Sequence, residues 1–328
     1  METYGDCLTE EPLVSIIIPV YNGSDYLNSA LESAFSQTYK NIEVVVINDG
    51  SNDDDKTDEI CKSYGNRIVY LNKQNGGVAS ALNAGIKLAK GEYISWLSHD
   101  DMYIKDKIEK QILFLNDYKD KNNKKCILYS NFIIIHVLEN KREKITLSLE
   151  NPDTFYESLM TRGGFIHGCT TLIPKEAFTK VGYFNEKLQT TQDNDMWLRM
   201  NTMYDFVQMN EYFVESRDHP GQGSKVMKDI HEHERNAFFK DNLKYFYDVN
   251  HSTKFKIRNY GKLIFSFKRR GLIDAYKYSL KMIRKKKLLL NGDDLIYLIY
   301  AFFYFPHRVN LIIVRLFDYI LKIKSNYY

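Results

Sequence analysis

Short apolar runs alternate with segments of helical periodicity along the first hundred residues of the chain. Residues 14–20 are almost continuously apolar and end before Asn22-Gly23, which is the pattern of a strand buried on both faces. Apolar residues then recur at helical spacing over residues 27–35, with Ser24 as the predicted N-cap. Further strands are predicted at residues 42–47, 67–71 and 92–97, and further helices at residues 55–64 and 78–89.

This alternation of strands and helices predicts a parallel sheet with helices on both faces. Such sheets bind ligands beyond the carboxyl ends of their strands. The polar groups that follow the predicted strands are therefore the candidate ligand-binding residues. They are Tyr21-Asn22, Asp49-Gly50 and Ser98-His99-Asp100-Asp101.

The pattern after residue 101 is less regular but still mixes strands and helices. Strands are predicted at residues 126–138, 169–173 and 211–216. Helices are predicted at residues 152–160, from Pro174 and from near Asp193. In the first hundred residues, Gly91 is the predicted C-terminal stop of the helix at residues 78–89. From Ser224 onward the pattern is helical and aromatic.

Charge is unevenly distributed along the 328 residues, whose formal net charge is only +3. Residues 251–328 contain 17 Lys and Arg against 4 Asp and Glu, a net of +13, so the residues before them carry a net of −10. Such a division suggests two regions with different partners. The basic region has no recognisable nucleic-acid-binding module and the rest is acidic, so we expect no nucleic acid partner.

The cysteines and the start of the chain indicate a cytoplasmic protein. Cys7, Cys61, Cys126 and Cys169 are too far apart for a CxxC metal pair or a short disulfide loop, so free thiols are predicted. Residues 1–11 are polar and acidic, unlike a signal peptide, and no apolar run of about 18 residues predicts a membrane span. Contact with the inner face of the membrane stays open.

Asp100 and Asp101 come directly after the fourth predicted strand. Carboxylate oxygens suit Mg²⁺ or Mn²⁺, and the two phosphates of a ligand complete such a shell. An Asp pair at this point is equally typical of a helix N-cap. These two residues alone therefore leave a metal site and a helix cap as alternatives.

Four further motifs favour the metal site over the helix cap. They are Pro19-Val20-Tyr21-Asn22, Asp49-Gly50-Ser51, Asn75-Gly76-Gly77 and Gly91-Glu92-Tyr93-Ile94, the last leading into Trp96-Leu97-Ser98-His99-Asp100-Asp101. Their order and spacing resemble glycosyltransferase family 2, which has the GT-A fold, over roughly residues 12–220. The resemblance implies that Asp100 is a metal ligand and that Asp101 orients the loop. Ser98 stands at the family's first acidic position, where its hydroxyl would bind a water or the ribose.

The resemblance implies a nucleotide-sugar site around the first three strand ends. Asp49 would read the base by accepting a hydrogen bond from the imide N–H of uracil, although an Asp before Gly is also common in turns. Tyr21 would stack on the base, and Pro19 would present its backbone carbonyl. The Asn-Gly-Gly turn at residues 75–77 would let the backbone pass close to the ligand or would form a tight helix entry.

A second acidic motif, Gln192–Arg199, resembles the family segment that carries the catalytic base. By position the base is Asp193, with Asp195 as a second candidate. The alternative is that Asp193 only caps its helix. The resemblance also implies that His219 is a metal ligand or contacts the diphosphate, and that His167 touches sugar hydroxyls from an acceptor-side loop at residues 163–168.

The resemblance thus implies an α/β protein with a GT-A fold, a mostly parallel sheet flanked by helices. Residues 1–222 are predicted to form the catalytic domain, with residues 12–101 as its nucleotide-sugar-binding half and residues 102–222 as its acceptor half. Residues 223–328 are predicted to form a basic, aromatic helical region that contacts a membrane or self-associates.

The implied activity is metal-assisted, inverting transfer from a UDP-sugar to a hydroxyl of a glycan, lipid-linked or protein-linked acceptor. Mn²⁺ or Mg²⁺ is the implied cofactor. Ser98 and Gln192 stand where the family usually has acids. A catalytically weak scaffold subunit is therefore one alternative, and a sugar-nucleotidyltransferase is another.

Overall fold

The computed structural model describes residues 11–122, 125–148, 155–162, 166–247, 260–286 and 292–303. Some of the predictions concern residues outside these ranges. They are the polar start at 1–10 with Cys7, residues 152–154 of a predicted helix, residues 163–165 of the acceptor-side loop, and residues 248–259, 287–291 and 304–328 of the predicted basic helical region.

The chain divides into two compact units, residues 1–155 with 164–231, and residues 156–163 with 232–328. The strands are β1 (Val14–Val20), β2 (Ile42–Asn48), β3 (Val69–Asn72), β4 (Tyr93–Trp96), β5 (Met102–Tyr103), β6 (Cys126–His136), β7 (Lys141–Ile145), β8 (Ile173–Pro174) and β9 (Asp205–Asp218). The helices are α1 (Leu27–Phe35), α2 (Lys56–Ser63), α3 (Gly77–Leu88), α4 (Lys107–Asn122), α5 (Phe155–Arg162), α6 (Glu176–Val181), α7 (Gln192–Met200), α8 (Gly223–Val226), α9 (Lys228–Tyr247), α10 (Tyr260–Arg269), α11 (Ile273–Lys286) and α12 (Gly292–Phe303).

The first unit contains a five-stranded sheet in the order β3-β2-β1-β4-β8. The first four strands of this order are parallel and β8 is antiparallel. All seven residues of β1 are buried, as the unbroken apolar run predicts for a strand covered on both faces. Because Val20 pairs with Asn48 and Asn48 pairs with Asn72, three strands end at one edge of the sheet.

Helices on this sheet hold the strands by burying one apolar side. Leu27 and Leu31 of α1 are fully buried, and the same periodicity predicts that helix from the sequence. On α3 the backbone of Gly85 comes so close to the sheet that a Cβ there would lie 2.4 Å from Ile17. These helices fix the sheet edge that carries the polar residues.

A second sheet, in the order β5-β9-β6-β7, completes the first unit. β6 and β9 run parallel, while β5 pairs antiparallel with β9. The predicted strand 211–216 is thus the end of a longer strand, β9. Residues 97–101 connect β4 of the first sheet to β5 of the second, so the acidic cluster lies between the two sheets. The predicted GT-A-type α/β arrangement is confirmed.

Two predictions about helix ends are wrong. Ser24 does not cap α1, because the N-cap position is Tyr26 and the backbone carbonyl of Gly23 accepts the N–H groups of Tyr26 and Leu27. Gly91 does not end α3, whose C-cap is Ala89. Gly91 instead passes so close to β1 that a Cβ would lie 2.6 Å from the backbone nitrogen of Ser15.

The prediction of one strand over residues 169–173 is also wrong. Gly168–Thr170 forms a 3₁₀ turn, closed by the N–H of Thr170 donating to the carbonyl of His167 at 2.9 Å. Only Ile173–Pro174 pairs with β4, and α6 begins two residues later, at Glu176. The turn matters because it brings Cys169 and His167 beside the acidic cluster.

The second unit is helical where the structure describes it. Arg270 Nη1 donates to the carbonyl of Met160 at 3.2 Å, and its guanidinium lies 4.4 Å from the ring centre of Phe239. Gly261 N–H donates to Asp294 at 2.8 Å, which ties α10 to α12. Among the described residues, no helix is both long and apolar enough to cross a bilayer.

Candidate active site

Asp100 lies in the connection between the two sheets and faces a histidine from the end of β9. Its Oδ2 lies 3.1 Å from Nε2 of His219, and both side chains are almost buried, at 11% and 14% exposure. Arg217 Nη1 holds the backbone carbonyl of Asp100 at 2.7 Å. Carboxylate and imidazole are both ligands for Mn²⁺, so this pair fits the start of a metal shell.

Asp101 points away from that pair and towards the 3₁₀ turn. Its Oδ1 accepts the backbone N–H of Arg217 at 3.1 Å, and its Oδ2 lies 3.4 Å from Cys169 Sγ and 3.6 Å from His167 Nε2. Burial, together with a smaller contribution from the nearby charge of Asp100, raises the pKa of Asp101 to about 7. Neither aspartate caps a helix, because β5 follows and α4 begins only at Lys107.

Ser98 is held by the same cysteine. Its backbone N–H donates to Cys169 Sγ at 3.2 Å, and the thiol donates to the Ser98 hydroxyl at 3.4 Å. Burial raises the pKa of Cys169 well above its usual value, so the group is a neutral thiol at neutral pH. Ser98 is therefore positioned at the cluster although it has no carboxylate.

His99 separates the cluster from the first strand end. Its ring fills the space beside Gly23, where a Cβ would lie 2.5 Å from the ring. Burial lowers the pKa of His99, while Asp100 and a hydrogen bond to the backbone carbonyl of Pro19 oppose this shift. The Pro19 carbonyl, predicted to face a ligand, thus has a partner within the protein.

Asp49 is buried and holds the Asn-Gly-Gly turn. One oxygen accepts Lys73 Nζ at 2.6 Å, and the carboxylate also accepts the backbone N–H groups of Gly76 at 3.1 Å and Gly77 at 2.7 Å. Gly77 has φ of +82°, a left-handed conformation that glycine adopts without strain. The turn and the tight helix entry predicted for Asn75-Gly76-Gly77 are one structure, because α3 begins at Gly77.

Tyr21 lies at the same edge and is the exposed aromatic residue there, with 43% of its surface accessible. Its hydroxyl is 3.4 Å from Asn52 Oδ1, which also accepts Asn22 Nδ2 at 2.7 Å. Asn52 N–H in turn donates to Asn22 Oδ1 at 2.8 Å. These contacts join the loop after β1 to the loop after β2 and leave the ring of Tyr21 open to a ligand.

Asp193 and Ser98 line one cavity of about 240 Å³. The walls combine aromatic rings with polar groups, and they come from both sheets, the 3₁₀ turn and α7. The other lining residues are Trp96, Phe132, Ile166, His167, Gly168 and Cys169. Gly168 is necessary for this shape, because a Cβ there would lie 2.3 Å from the Trp96 ring.

Asp193 is the second residue of α7, and its side chain faces the cavity. Burial raises the pKa of Asp193 to about 6, although a hydrogen bond from Asn194 N–H at 2.7 Å opposes the shift. Asp195 has a different role, since its Oδ2 accepts Arg199 Nε at 2.9 Å and Nη2 at 2.8 Å. A carboxylate whose pKa is near neutral is suited to proton transfer, so Asp193 is a better candidate for the base than Asp195.

Several buried polar atoms near this cavity have no hydrogen-bond partner among the described residues. Two belong to cavity walls, Trp96 Nε1 and His167 Nδ1, and a third is Oε1 of Gln192, the residue before Asp193. An unpaired buried polar atom costs about 1–3 kcal/mol. Burial also lowers the pKa of His167, so its ring is neutral and can donate or accept a hydrogen bond.

Three residues of the candidate site were not predicted from the sequence as site residues: Arg217, Cys169 and Trp96. Arg217 lies two residues before His219, and its donors fix both Asp100 and Asp101. The sequence signal for it is this spacing alone. Cys169 gave no signal, because it contacts the acidic cluster only through the fold.

Comparisons with known proteins identify the family of this chain. The sequence model of the family described as Glycosyl transferase family 2 matches residues 15–182, just over half of the chain. An uncharacterized glycosyltransferase of Rickettsia typhi is 41% identical over 286 residues, which cover 85% of this chain and 87% of that relative. The chondroitin synthase of Pasteurella multocida is 33% identical over 202 residues, covering 61% of this chain and 20% of the synthase.

Some relatives are much longer than this chain. An uncharacterized glycosyltransferase of Rickettsia felis is 44% identical over 228 residues, which cover 67% of this chain but 36% of that relative. The corresponding share for the relative from Rickettsia bellii is 33%. The chain thus spans about a third of the length of these two proteins.

Two solved structures share the fold at low sequence identity. The mannosyltransferase PcManGT from Pyrobaculum calidifontis, in complex with GDP-Man and Mn²⁺, has a TM-score of 0.55 and 15% identity, covering 89% of this chain and 79% of that chain. TarS of S. aureus, in complex with UDP-GlcNAc, has a TM-score of 0.52 and 18% identity, covering 83% and 89%. The family match and the extended identity to the Rickettsia typhi protein lead to one conclusion: the chain belongs to glycosyltransferase family 2.

Proposed function

We propose that this protein transfers a sugar from a UDP-sugar to a hydroxyl of a glycan or lipid-linked acceptor, with inversion at the anomeric carbon. The observation that carries this proposal is the cavity shared by Asp193 and Ser98. A carboxylate with a pKa of about 6 lines the same space as the end of the nucleotide-sugar motif. A base and a donor site in one cavity are what a direct displacement requires.

In this mechanism Asp193 accepts the proton of the acceptor hydroxyl. The acceptor oxygen forms a bond to the anomeric carbon while the bond from that carbon to the diphosphate oxygen breaks, and UDP leaves with the electron pair. Attack from the side opposite the leaving group inverts the anomeric carbon. A positioned base contributes about 10²–10⁴-fold to such a step.

Asp100 and His219 would hold a divalent metal, Mn²⁺ or Mg²⁺, at the diphosphate. Their facing atoms are 3.1 Å apart, a separation that two ligands of one ion can have. The metal would supply positive charge that stabilises the leaving diphosphate. Arg217 would keep Asp100 in place, because its guanidinium donates to the backbone carbonyl of Asp100 and its backbone N–H donates to Oδ1 of Asp101.

Asp49 supports uracil as the base. An ionised carboxylate offers about four acceptor positions, and three donors within the protein use them: Lys73 and the N–H groups of Gly76 and Gly77. The N–H of Gly76 is shared between the two oxygens, so the imide N–H of uracil, which cytosine lacks, would take one of the positions that Gly76 shares. The fold itself does not select the base, since PcManGT binds GDP-Man and TarS binds UDP-GlcNAc.

For the acceptor, the names of two relatives refer to chondroitin and to teichoic acid. These relatives are a chondroitin synthase of Pasteurella multocida and the minor teichoic acid biosynthesis protein GgaB of Bacillus subtilis. The net charge of +13 over residues 251–328 supports contact with an anionic membrane that carries a lipid-linked acceptor, or contact with a second copy. Liposome flotation with and without anionic lipid distinguishes the two.

The test is a donor panel of UDP-glucose, UDP-GlcNAc and GDP-mannose, measured by calorimetry with Mn²⁺ and with chelator. We expect binding of a UDP-sugar that depends on Mn²⁺ and is lost in Asp100→Ala. The matched control is Asp106→Ala, because Asp106 lies six residues after Asp100, between β5 and α4, and pairs with Lys110 at 2.7 Å. Binding that is unchanged by chelator would contradict the metal site, and binding without any transfer or hydrolysis would indicate a catalytically silent subunit.

A further inference from the structure

Three different metal-ligating groups converge beside the active-site cavity, on residues other than Asp100 and His219. They are the carboxylate of Asp101, the imidazole of His167 and the thiol of Cys169, whose ligand atoms all lie within 4.8 Å of one another. Asp101 comes from the connection after β4, whereas His167 and Cys169 come from the 3₁₀ turn. The fold therefore brings Asp101 beside two residues that are 66 and 68 positions away in the sequence.

The separations fit a tetrahedral ion. For Zn²⁺, with bonds of about 2.3 Å to sulfur and about 2.0–2.2 Å to nitrogen and oxygen, neighbouring ligands lie about 3.3–3.6 Å apart. Asp101 Oδ2 is 3.6 Å from His167 Nε2 and 3.4 Å from Cys169 Sγ. Two of the three separations therefore match those around a bound Zn²⁺, and the third, between His167 and Cys169, is within 4.8 Å.

The surroundings of the cluster also suit a bound ion. The N–H of Arg217 fixes the second oxygen of Asp101 at 3.1 Å, and the N–H of Ser98 donates to Cys169 Sγ at 3.2 Å, which favours a thiolate. His167 and Cys169 line the 240 Å³ cavity, which gives the ion a route to the cluster. The hydroxyl of Ser216, 3.1 Å from His167 Nε2, is near enough to support the fourth position.

The chemistry differs from that of the Asp100–His219 pair. A thiolate is a soft ligand that selects Zn²⁺ over Mg²⁺ or Mn²⁺, whereas a carboxylate with two phosphates selects the harder ions. We propose that Asp101, His167 and Cys169 form a second metal site, specific for Zn²⁺ and similar thiophilic ions, with a water or Ser216 as the fourth ligand. Binding releases the thiol proton of Cys169 to solvent.

The experiment uses Co²⁺ as a coloured probe of the full-length protein. Cysteine thiolate bound to Co²⁺ gives a charge-transfer absorption in the near ultraviolet, which carboxylate and imidazole ligands do not give. We expect this band in the wild type, its loss in Cys169→Ser, and its removal by one equivalent of Zn²⁺. Cys126→Ser is the matched control, because Cys126 is equally buried but belongs to no such cluster among the described residues.

Two further variants make the result independent of the folding of Cys169→Ser. Asp101→Asn removes one ligand and should weaken Zn²⁺ binding by an order of magnitude or more. His219→Ala removes the histidine of the other pair and should leave the thiolate band unchanged. Absence of the band in the wild type, or its persistence in Cys169→Ser, would overturn the proposal and indicate a hydrogen-bonded triad without metal. A band lost in His219→Ala but kept in Asp101→Asn would overturn the ligand assignment.

Discussion

The candidate active site has two sides, which differ in whether their polar groups have hydrogen-bond partners within the protein. The nucleotide side comprises the loops after β1 and β2 and the Asn-Gly-Gly turn, and the cavity side comprises the residues that line the 240 Å³ cavity. On the nucleotide side, Asp49 accepts three donors from the protein, and Asn22 and Asn52 exchange hydrogen bonds. On the cavity side, Trp96 Nε1 and His167 Nδ1 have no hydrogen-bond partner among the described residues, and Asp193 has a pKa of about 6. The nucleotide side is thus already built, whereas the cavity side keeps polar groups unpaired.

This difference indicates a division of roles. Satisfied polar clusters hold backbone turns rigid, so the donor meets a formed surface and little ordering accompanies binding. Unpaired buried groups destabilise the fold by about 1–3 kcal/mol each until a ligand bonds them. We infer that the cavity side is where the reacting groups are bound, and each prediction below tests one side against the other.

The largest effect is expected on the cavity side, from Asp193→Asn. The amide keeps the size of the side chain but cannot accept the proton of the acceptor hydroxyl, so transfer should fall by about 10²–10⁴-fold. UDP binding should remain within a few-fold, because the nucleotide side is untouched. Transfer is measured by UDP release with acceptor present, and binding by calorimetry. A variant that transfers at near wild-type rate would show that another group is the base.

The pH profile is expected to show the next largest effect. Because Asp193 must be ionised to act and its pKa is about 6, the transfer rate should fall about tenfold for each pH unit below 6 and level off above it. The measurement is kcat/KM from pH 4.5 to 8.5. A rate that rises as the pH falls through 6 would contradict a carboxylate base.

The stability of the folded state should decrease as the pH rises through 6, the range in which the transfer rate increases. A raised pKa means that the folded state binds the proton more tightly, so this stabilisation is present below about pH 4 and is lost as the pH rises through 6. Asp193→Asn should therefore be more stable than the wild type at pH 8 by on the order of 1–3 kcal/mol, and similar to it near pH 4. Urea unfolding of the wild type and of Asp193→Asn at the two pH values measures the difference in stability between them. Because Asp101 is present in both proteins, its own pH-dependent contribution cancels in this comparison.

The sequence predicts the nucleotide side better than the cavity side. Strand β1, helix α1 and the strand ends follow from apolar runs and helical spacing, which are local signals. The Asn-Gly-Gly turn is also local, because glycine with positive φ is needed at Gly77. Residues whose roles depend on neighbours in sequence are therefore recoverable from the pattern alone.

The cavity depends on contacts between distant segments, and these have no local signal. Cys169 meets Ser98 and Asp101 only because a 3₁₀ turn replaces the predicted strand at residues 169–173. The resemblance to the family supplied Asp193 and His219, but it did not supply the partners that position them. Arg217 is the main example, since its donors reach two aspartates more than a hundred residues away.

On the nucleotide side, Asp49→Asn and Lys73→Met separate the hydrogen bonds that hold the turn from the Asp49–Lys73 ion pair. Asp49→Asn keeps one acceptor oxygen but replaces the other by an NH₂ group, which can no longer accept a hydrogen bond from the backbone N–H groups of the turn. We therefore expect UDP affinity to fall by about tenfold and stability by about 1–3 kcal/mol. Lys73→Met removes the ion pair at 2.6 Å but keeps the bonds from Gly76 and Gly77, so it should lower UDP affinity less than Asp49→Asn does. Equal losses of UDP affinity in both variants would mean that the ion pair, not the turn, supports the donor.

The smallest effect is expected from Asp195→Asn, the matched control for Asp193→Asn on the same helix. Asp195 accepts two hydrogen bonds from Arg199, whose guanidinium also donates to the carbonyls of Val181, Gly182 and Tyr183. Because those carbonyl contacts remain, the loss should be limited to one partly exposed i,i+4 pair, about 0.5–1 kcal/mol. Transfer should stay within about threefold of wild type, since Asp195 does not line the cavity. If Asp195→Asn abolishes transfer while its thermal unfolding is unchanged, Asp195 and not Asp193 is the base. The cavity lined by Asp193 would then not be the place where the acceptor hydroxyl loses its proton.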